Sequence, residues 1–237
     1  MENFTDTIDR KIMPALSKVT ENKVIKAIQY GAMATMPLTL GVALIAILVN
    51  LPFEAWTNWL ATTGLSVHMN ATLKVTMEAT ALFMTFMIGY FHALERGKSG
   101  STGGILSLGA FLILMPHEIP IEGGVVAGIN FSYLGADGIF GGILIAVLVS
   151  GLYSFLQDKG LVIKLPESVP PMVAQSLSPT FIAMIIFTAI FLTRVAFGFT
   201  EYGDYFTALN TVVGAPILAL GATPTSAIIF MVLASLA

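Results

Sequence analysis

The sequence contains no cysteine, which excludes disulfide bonds, thiolate metal sites and a cysteine nucleophile from this chain. Charge is scarce as well. Only 11% of the residues are charged, whereas soluble domains carry roughly 25%. A soluble globule needs charged side chains to cover its surface, so this composition argues against one. The net charge of −3 gives no indication of a nucleic-acid partner.

Hydrophobic residues make up 56% of the chain and occur in long runs between short polar stretches. Such runs are typical of helices that cross a ~30 Å hydrocarbon core with about 20 apolar residues each. We therefore predict an all-α, polytopic integral membrane helix bundle with about five full spans. The expected spans cover residues 27–51, 71–92, 103–115, 138–156 and 177–199. Pro37 is expected to kink the first span. The third span is short, and its helix is expected to begin one turn earlier, in the preceding loop.

Lysine and arginine are distributed unevenly between the connecting segments. They occur in the N-terminal tail, in the loop after the second span and in the loop after the fourth, whereas 52–70 and 116–133 contain none. Trp56 and Trp59, in the first of these two segments, suit the headgroup region. Cationic residues are retained on the cytoplasmic face, so we expect a cytoplasmic N-terminus.

The spans divide the chain into three expected regions. Residues 1–26 form a cytoplasmic amphipathic segment lying on the membrane surface, with a poorly ordered tail as the alternative. Its apolar residues share one helical face: Phe4, Ile8, Ile12, Leu16 and Val19. Residues 27–204 form the transmembrane scaffold or interface helices. Residues 205–237 form an amphipathic or re-entrant segment and the start of an incomplete transport domain.

The C-terminal region is apolar but irregular. Gly214 and Pro216 interrupt it, which favours an interfacial or re-entrant segment over a span. Thr223 and Pro224 then suit a helix start. The thirteen residues that follow reach ~20 Å, short of a ~30 Å core. We expect a truncated sixth helix, as in a fragment, a split gene or a truncated product. A short helix ending inside a protein-lined cavity is the alternative.

A few ionisable residues lie at or near membrane depth. Lys74 and Glu78 are four residues apart and are expected to pair on one helical face, either as a functional intramembrane pair or as a structural one. Arg194 is expected to extend to the membrane interface. His68, His92 and His117 lie at loops or helix ends, where we expect ordinary solvated histidines. No catalytic residue and no metal site is predicted.

Glycines recur at a spacing of four, at Gly100 and Gly104 and again at Gly138 and Gly142. Small residues at this spacing let membrane helices approach closely. We expect them to serve packing, including packing at a subunit interface.

One loop carries a specific signature between the fourth and fifth spans. After Lys164 and Leu165 it reads Pro166, Glu167, Ser168, Val169, Pro170, Pro171, then Met172, Val173, Ala174, Gln175 and Ser176. This string resembles the lactose/cellobiose family of enzyme IIC, the membrane component of bacterial sugar phosphotransferase systems. The charged amphipathic N-terminus and the stretch 133–140 resemble that family too.

The resemblance implies a multi-pass permease of the bacterial cytoplasmic membrane. It implies the translocation of a disaccharide such as cellobiose, lactose or diacetylchitobiose, coupled to phosphorylation by a IIB partner that IIA supplies. It also implies a homodimer and no cofactor. Only about the first half of a typical member is covered, and the family's catalytic histidine and glutamate lie beyond Ala237. No catalytic or sugar-binding residue is therefore carried over, and whether this chain takes part in catalysis is left open.

Two questions remain open from the residues alone. The loop of 166–176 is expected to contribute to IIB docking or to the inner gate, or simply to form a proline-fixed turn. The chain itself is expected to be the N-terminal portion of a permease. The alternatives are a non-transporting dimerisation or structural half of a split or truncated permease, and an unrelated solute channel.

Overall fold

The computed structural model describes residues 21–163 and 177–214, together with positions 166, 170 and 173. It is mostly helical. The elements, in chain order, are α1 (Lys23–Ala34), α2 (Met36–Gly41), α3 (Ala43–Val49), α4 (Glu54–Thr62), α5 (Leu65–Thr76), α6 (Thr80–Glu95), α7 (Gly100–Leu114), β1 (Glu118–Ile121), β2 (Gly124–Ala127), α8 (Phe131–Leu134), α9 (Ile139–Asp158), α10 (Thr180–Gly198) and α11 (Tyr205–Leu209).

Every predicted span coincides with a helix or a helix series, but the count of membrane crossings remains a prediction. By length and composition, three helices of the described residues qualify as spans: Leu65–Glu95, Ala136–Asp158 and Thr180–Gly198. A fourth qualifies if the bent series of α1 to α3 is one span. Helix α7 is apolar but shorter. It begins at Gly100 behind the N-cap Ser99, whose side chain accepts from Thr102 N, which confirms the earlier start.

The first span is broken near Pro37, as its sequence predicted, but its sharpest bend lies after the proline. Helix α1 ends at Ala34, and Pro37 occupies the first turn of α2, where its missing N–H costs nothing. The series then bends by 48° between Gly41 and Ala43. The bend therefore follows the proline by one turn.

The segment 52–70, predicted to connect two spans, is largely helical. Helix α4 carries both tryptophans, whose rings stack with centroids 5.2 Å apart. The Trp56 indole N–H donates to the carbonyl of Leu48 at 2.7 Å, which ties α4 to the end of α3. The second span is also longer than predicted, since α5 begins at Leu65. A 3-10 turn at Met77–Ala79 separates α5 from α6.

The all-α prediction is wrong for one segment. Strands β1 and β2 form an antiparallel hairpin, with Glu118 opposite Ala127 and Ile121 opposite Gly124. Gly123, in the turn, has a φ of +92°, a conformation that a side chain would strain. The hairpin has only a weak sequence signal, because its strands are four residues long and the first contains a proline.

Helix α6 lies at the centre of the bundle. It packs against α1, α7 and α9, and α10 packs on the outer side of α7 and α9. The core consists mainly of side chains from these helices, joined by Phe206 of α11, whose ring meets that of Phe111 edge-on at 5.1 Å. Lipid chains are as apolar as these side chains, so burying the side chains gains little hydrophobic free energy. Close van der Waals packing is therefore the main interaction that holds the helices together.

Glycines bring the central helices together, as predicted. A Cβ on Gly103 of α7 would lie 2.5 Å from Ala93 Cβ and 2.7 Å from the Gly89 carbonyl of α6. A Cβ on Gly142 of α9 would collide with Thr85 Oγ1. These contacts lie within one chain, so the predicted use of glycines at a subunit interface stays a prediction.

Five cations lie at one end of the bundle, which we name the basic end: Lys23, Lys26, Arg96, Lys98 and Lys159. Helices α1 and α6 run antiparallel, with Tyr30 beside Phe91 at 5.7 Å and Gly31 against Ile88. Lys98, in the loop after α6, pairs with Asp158 at the end of α9.

The side of the membrane that the basic end faces remains a prediction, as does the division of the chain into three regions. Residues 1–20 and 215–237 lie outside the described residues, and with them the truncated helix and all of the predicted amphipathic segment 1–26 except 21–26, where α1 already begins at Lys23.

Candidate functional site

Most of the signature loop lies outside the described residues. Glu167, Ser168, Val169, Pro171 and Ser176 belong to that part. Pro166 and Pro170 are described and are exposed, and Val173 N donates to the Pro170 carbonyl at 3.0 Å. Just before the loop, Ile163 N donates to the Ser178 carbonyl at 3.0 Å. The two ends of the loop therefore meet, beside the end of α9 and hence at the basic end.

The predicted pair of Lys74 and Glu78 does not form. Among the residues that the structure describes, one ion pair lies within 4.0 Å, and it joins Lys98 to Asp158. The reason is the backbone: α5 ends at Thr76, and Glu78 sits in the following 3-10 turn. The four-residue spacing places two side chains on one face only if the α-helix continues.

His92 is the main functional candidate that sequence reasoning misplaced. It was expected to be solvated, but its side chain is fully buried between α6 and α9. Its Nδ1 lies 2.7 Å from Ser150 Oγ, and Arg96 Nε donates to its Nε2 at 3.2 Å. Because the arginine nitrogen can only donate, Nε2 accepts and Nδ1 carries the proton. Ser150 Oγ in turn donates to the Ala146 carbonyl.

This polar cluster fixes the loop at the basic end. His92 and Ser150 join α6 to α9, and Arg96, one turn after His92, is held by it at the start of the loop. Lys98 closes the same loop onto Asp158. That ion pair is partly exposed, so on its own it contributes at most about 1 kcal/mol. The cluster therefore fixes the positions of two cations: buried His92 holds Arg96, and the partly exposed Asp158 holds Lys98.

Arg194 has a different role from the predicted one. It does not simply extend to the interface, because its Nη1 donates to the carbonyls of Ile113 and Met115, the second at 2.6 Å. These carbonyls end α7, where no further turn of helix provides a donor. A cation at a helix C-terminus is also favoured by the helix dipole. Arg194 thus caps α7 from α10, at the end of the bundle opposite the basic end.

A cavity of about 530 Å³ adjoins this cap. Asp204 lines it, and its carboxylate accepts from Thr207 N at 2.9 Å and from Thr207 Oγ1 at 2.7 Å, which caps α11. The other two histidines are exposed, as predicted. His117 lines this cavity, with Nε2 2.8 Å from the Leu112 carbonyl, and His68 lies in α5.

The chemistry of these groups is limited. Within residues 21–163 and 177–214 no group of three His, Asp or Glu side chains could hold a metal ion. Five buried polar side chains of the bundle find partners inside the protein: Thr85, His92, Ser107, Ser150 and Ser154. The buried Oε1 of Gln157 has no partner among the described residues. A ligand site needs polar groups that point into a cavity. The polar side chains between the described helices therefore serve to join those helices.

Comparison with known proteins places the chain in a family. Residues 30–236 match the family described as Phosphotransferase system, EIIC. The galactose-specific EIIC component of Lactococcus lactis subsp. cremoris (strain MG1363) is 35% identical, over 94% of this chain and 53% of the relative. The cellobiose-specific EIIC component of Geobacillus stearothermophilus is 26% identical, over 100% of this chain and 54% of the relative.

A solved structure has the same fold. The transporter ChbC, the IIC component from the N,N'-diacetylchitobiose-specific phosphotransferase system, superposes with a TM-score of 0.87 at 27% identity, covering 94% of this chain and 54% of that one. The chain thus spans about half the length of the curated relatives it matches. The match extends over the bundle and the signature loop together, and it confirms the resemblance drawn from the sequence. On these grounds the chain belongs to the EIIC family of membrane-embedded phosphotransferase-system components.

Proposed function

We propose that this chain forms the scaffold portion of the membrane permease of a phosphoenolpyruvate-dependent sugar phosphotransferase system. The carrying observation is the family match over residues 30–236, which includes every described helix from the middle of α1 onward. The role of scaffold is supported by the interior, where the buried side chains of Thr85, His92 and Ser150 form hydrogen bonds within the protein.

The transported sugar is proposed to be a disaccharide such as cellobiose, lactose or diacetylchitobiose. Relatives are named for galactose and cellobiose, and the solved structure for N,N'-diacetylchitobiose. Transport is coupled to phosphorylation by IIB, which IIA supplies. The reaction needs a sugar hydroxyl in line with the phosphoryl donor and a base that accepts its proton. The permease works as a homodimer in the cytoplasmic membrane, with the N-terminus and the basic end on the cytoplasmic side.

Uptake of radiolabelled sugar tests this function. The chain is expressed in a strain that lacks its own IIC, with the cognate IIA and IIB, alone and together with a segment supplying the part of the relatives' length that this chain does not match. With that segment we expect phosphorylated sugar to accumulate, and to be lost when IIB is omitted. Accumulation of free sugar without IIB would indicate a solute channel, and no uptake in any combination would contradict the proposal.

The signature loop is proposed to contribute to IIB docking, because both of its ends lie at the basic end. Glu167→Ala and Pro170→Ala, each in the transport-competent assembly, are expected to weaken IIB binding about tenfold. For Glu167→Ala this is the effect of losing one hydrogen bond to a charged group, about 1.5 kcal/mol. For Pro170→Ala the reason is the loss of the proline that fixes the backbone of the loop. Binding of purified IIB is measured by surface plasmon resonance.

Glu201→Ala is the matched control for the loop variants, since Glu201 is exposed after α10, at the opposite end of the bundle. It should bind IIB like the parent. If both loop variants also bind IIB and transport sugar like the parent, the loop is a rigid turn and the docking proposal is wrong.

A further inference from the structure

A long apolar groove follows the seam between the first span and α6. It consists of two adjoining cavities, of about 420 Å³ and 230 Å³, which share Ala34. We name it the α1–α6 groove. Its lining includes Tyr30, Met33, Ala34, Leu38, Phe86 and Phe91.

The groove exists because the first span leaves α6 after a tight contact. Ala27 and Gly31 are buried, and a Cβ on Gly31 would lie 2.5 Å from Ile88, so α1 is pressed onto α6 there. Helix α1 then ends at the C-cap Thr35, whose Oγ1 donates a hydrogen bond to the Ala32 carbonyl at 2.7 Å. Helix α2 makes few contacts with α6, so the seam opens beyond Gly31.

Cations lie at the basic end of this groove. Lys26 is one turn and Lys23 two turns before Tyr30 on the same side of α1, and helical side chains lean towards the N-terminus. Arg96 is the C-cap residue of α6, five residues after Phe91. It is exposed, and its hydrogen bond to His92 uses Nε, which leaves both Nη atoms without a partner among the described residues.

The charge at this end is positive in balance. Against the three cations Lys23, Lys26 and Arg96 stand two acidic residues nearby in sequence, Glu21 and Glu95, and both are solvent-accessible. None of these five groups forms an ion pair with another among the described residues. The guanidinium head and two ammonium groups are therefore available to an anion from outside.

The length of the groove suits one membrane leaflet. From Phe91 to Phe83 the wall formed by α6 measures ~12 Å, at 1.5 Å per residue. Half of a ~30 Å hydrocarbon core is ~15 Å. An apolar chain that enters beside Phe91 would thus run to about the bilayer centre, with its polar end beside the three cations.

We propose that the α1–α6 groove is a binding site for an anionic phospholipid, with one acyl chain in the groove and the phosphate headgroup held by Lys23, Lys26 and Arg96. The proposal does not depend on the transported sugar or on IIB. Arg96 suits the role because a guanidinium can bind phosphate through two N–H groups at once, and His92 holds it in place from behind.

The competing occupant is a second copy of the chain, and charge disfavours it. A two-fold interface places the same patch of both copies face to face. Across this groove it would bring Lys23, Lys26 and Arg96 of both copies together, so that like charges oppose each other. A phosphate offers the complementary sign.

Native mass spectrometry of the purified full chain tests the site. Phosphatidylglycerol and phosphatidylcholine with identical acyl chains are titrated, and bound fractions are compared. The parent should prefer phosphatidylglycerol. In Lys23→Gln/Lys26→Gln its affinity should fall roughly 25-fold, because each cation near the membrane surface contributes about fivefold. Ala34→Phe, which fills the junction of the two cavities, should weaken both lipids.

Two control variants separate this site from general effects. Lys159→Gln removes a cation of the basic end that lies over Phe155 of α9, away from the groove. Ala189→Phe adds the same ring to an exposed position of α10. Both should bind lipid like the parent. Equal affinity of the parent for the two lipids, or a Lys159→Gln effect as large as that of the double variant, would overturn the proposal.

A cross-linking experiment tests the competing occupant. The chain has no cysteine, so Met33→Cys introduces a single thiol at the exposed edge of the groove. Under oxidation in membranes we expect the chain to stay uncross-linked. A disulfide between two copies would show that the groove is a protein interface and would refute the lipid site.

Discussion

Replacing Gly103 by valine should strongly destabilise the helix bundle. The position lies where α7 crosses α6, and even the first added carbon would lie 2.5 Å from Ala93 Cβ and 2.7 Å from the Gly89 carbonyl. Neither neighbour is the end of a flexible side chain, so neither can move aside without moving the helix. Overpacking of a core typically costs about 1–3 kcal/mol, and more where backbones must separate.

We expect the Gly103→Val protein to lose monodispersity in detergent at a temperature about 2–12 °C below that of the parent, measured by fluorescence-detected size exclusion after heating. Gly198→Val is the matched control. Gly198 also lies in an apolar helix, but a Cβ there would meet nothing within 4 Å. A Gly103→Val protein as stable as the control would show that α6 and α7 are not in close backbone contact.

Replacing Arg194 by methionine should also have a large effect. The apolar stem is kept, but the carbonyls of Ile113 and Met115 lose their donors, and Met115 is fully buried. Two hydrogen bonds to a charged group contribute about 1.5 kcal/mol or more each, so we expect a loss of about 3 kcal/mol. The same heating assay measures it.

Arg194→Lys distinguishes capping from simple extension to the interface. A lysine keeps the charge near the end of α7, but its ammonium is a point charge without the fixed fork of the guanidinium. Capping predicts a stability between those of the parent and of Arg194→Met. If lysine were fully equivalent to arginine, or if methionine were tolerated, the residue would only extend to solvent and its contacts to α7 would be incidental.

The positions of the helices could be predicted from the sequence because they depend on one-dimensional properties. The length of an apolar run, the loops that contain lysine and arginine, and a proline inside a span can each be counted along the chain. The bilayer imposes its thickness whatever the tertiary fold. Thus α9 and α10 lie within a few residues of their predicted ranges. The signature loop indicated the family for a similar reason, since it is a contiguous string.

Contacts between residues distant in sequence could not be predicted in this way. His92 and Ser150 are 58 positions apart, and at the end of an apolar run a buried histidine and a solvated one have the same local pattern. Arg194 and the end of α7 are about 80 positions apart, so its cap has no local signal. Lys74 and Glu78 show the opposite error, a predicted contact that does not form. Their four-residue spacing predicts an ion pair only in a continuous α-helix, and the helix ends between them.

By itself, therefore, the sequence determined that this protein is a membrane bundle of the EIIC family, where its long apolar helices lie and which loops are basic. The tertiary structure alone decided which of its polar groups are supported in the interior, where α7 is capped and where a groove opens beside α6. The physical reason is that partition into a bilayer acts on each segment separately, whereas hydrogen bonds and packing depend on which segments meet.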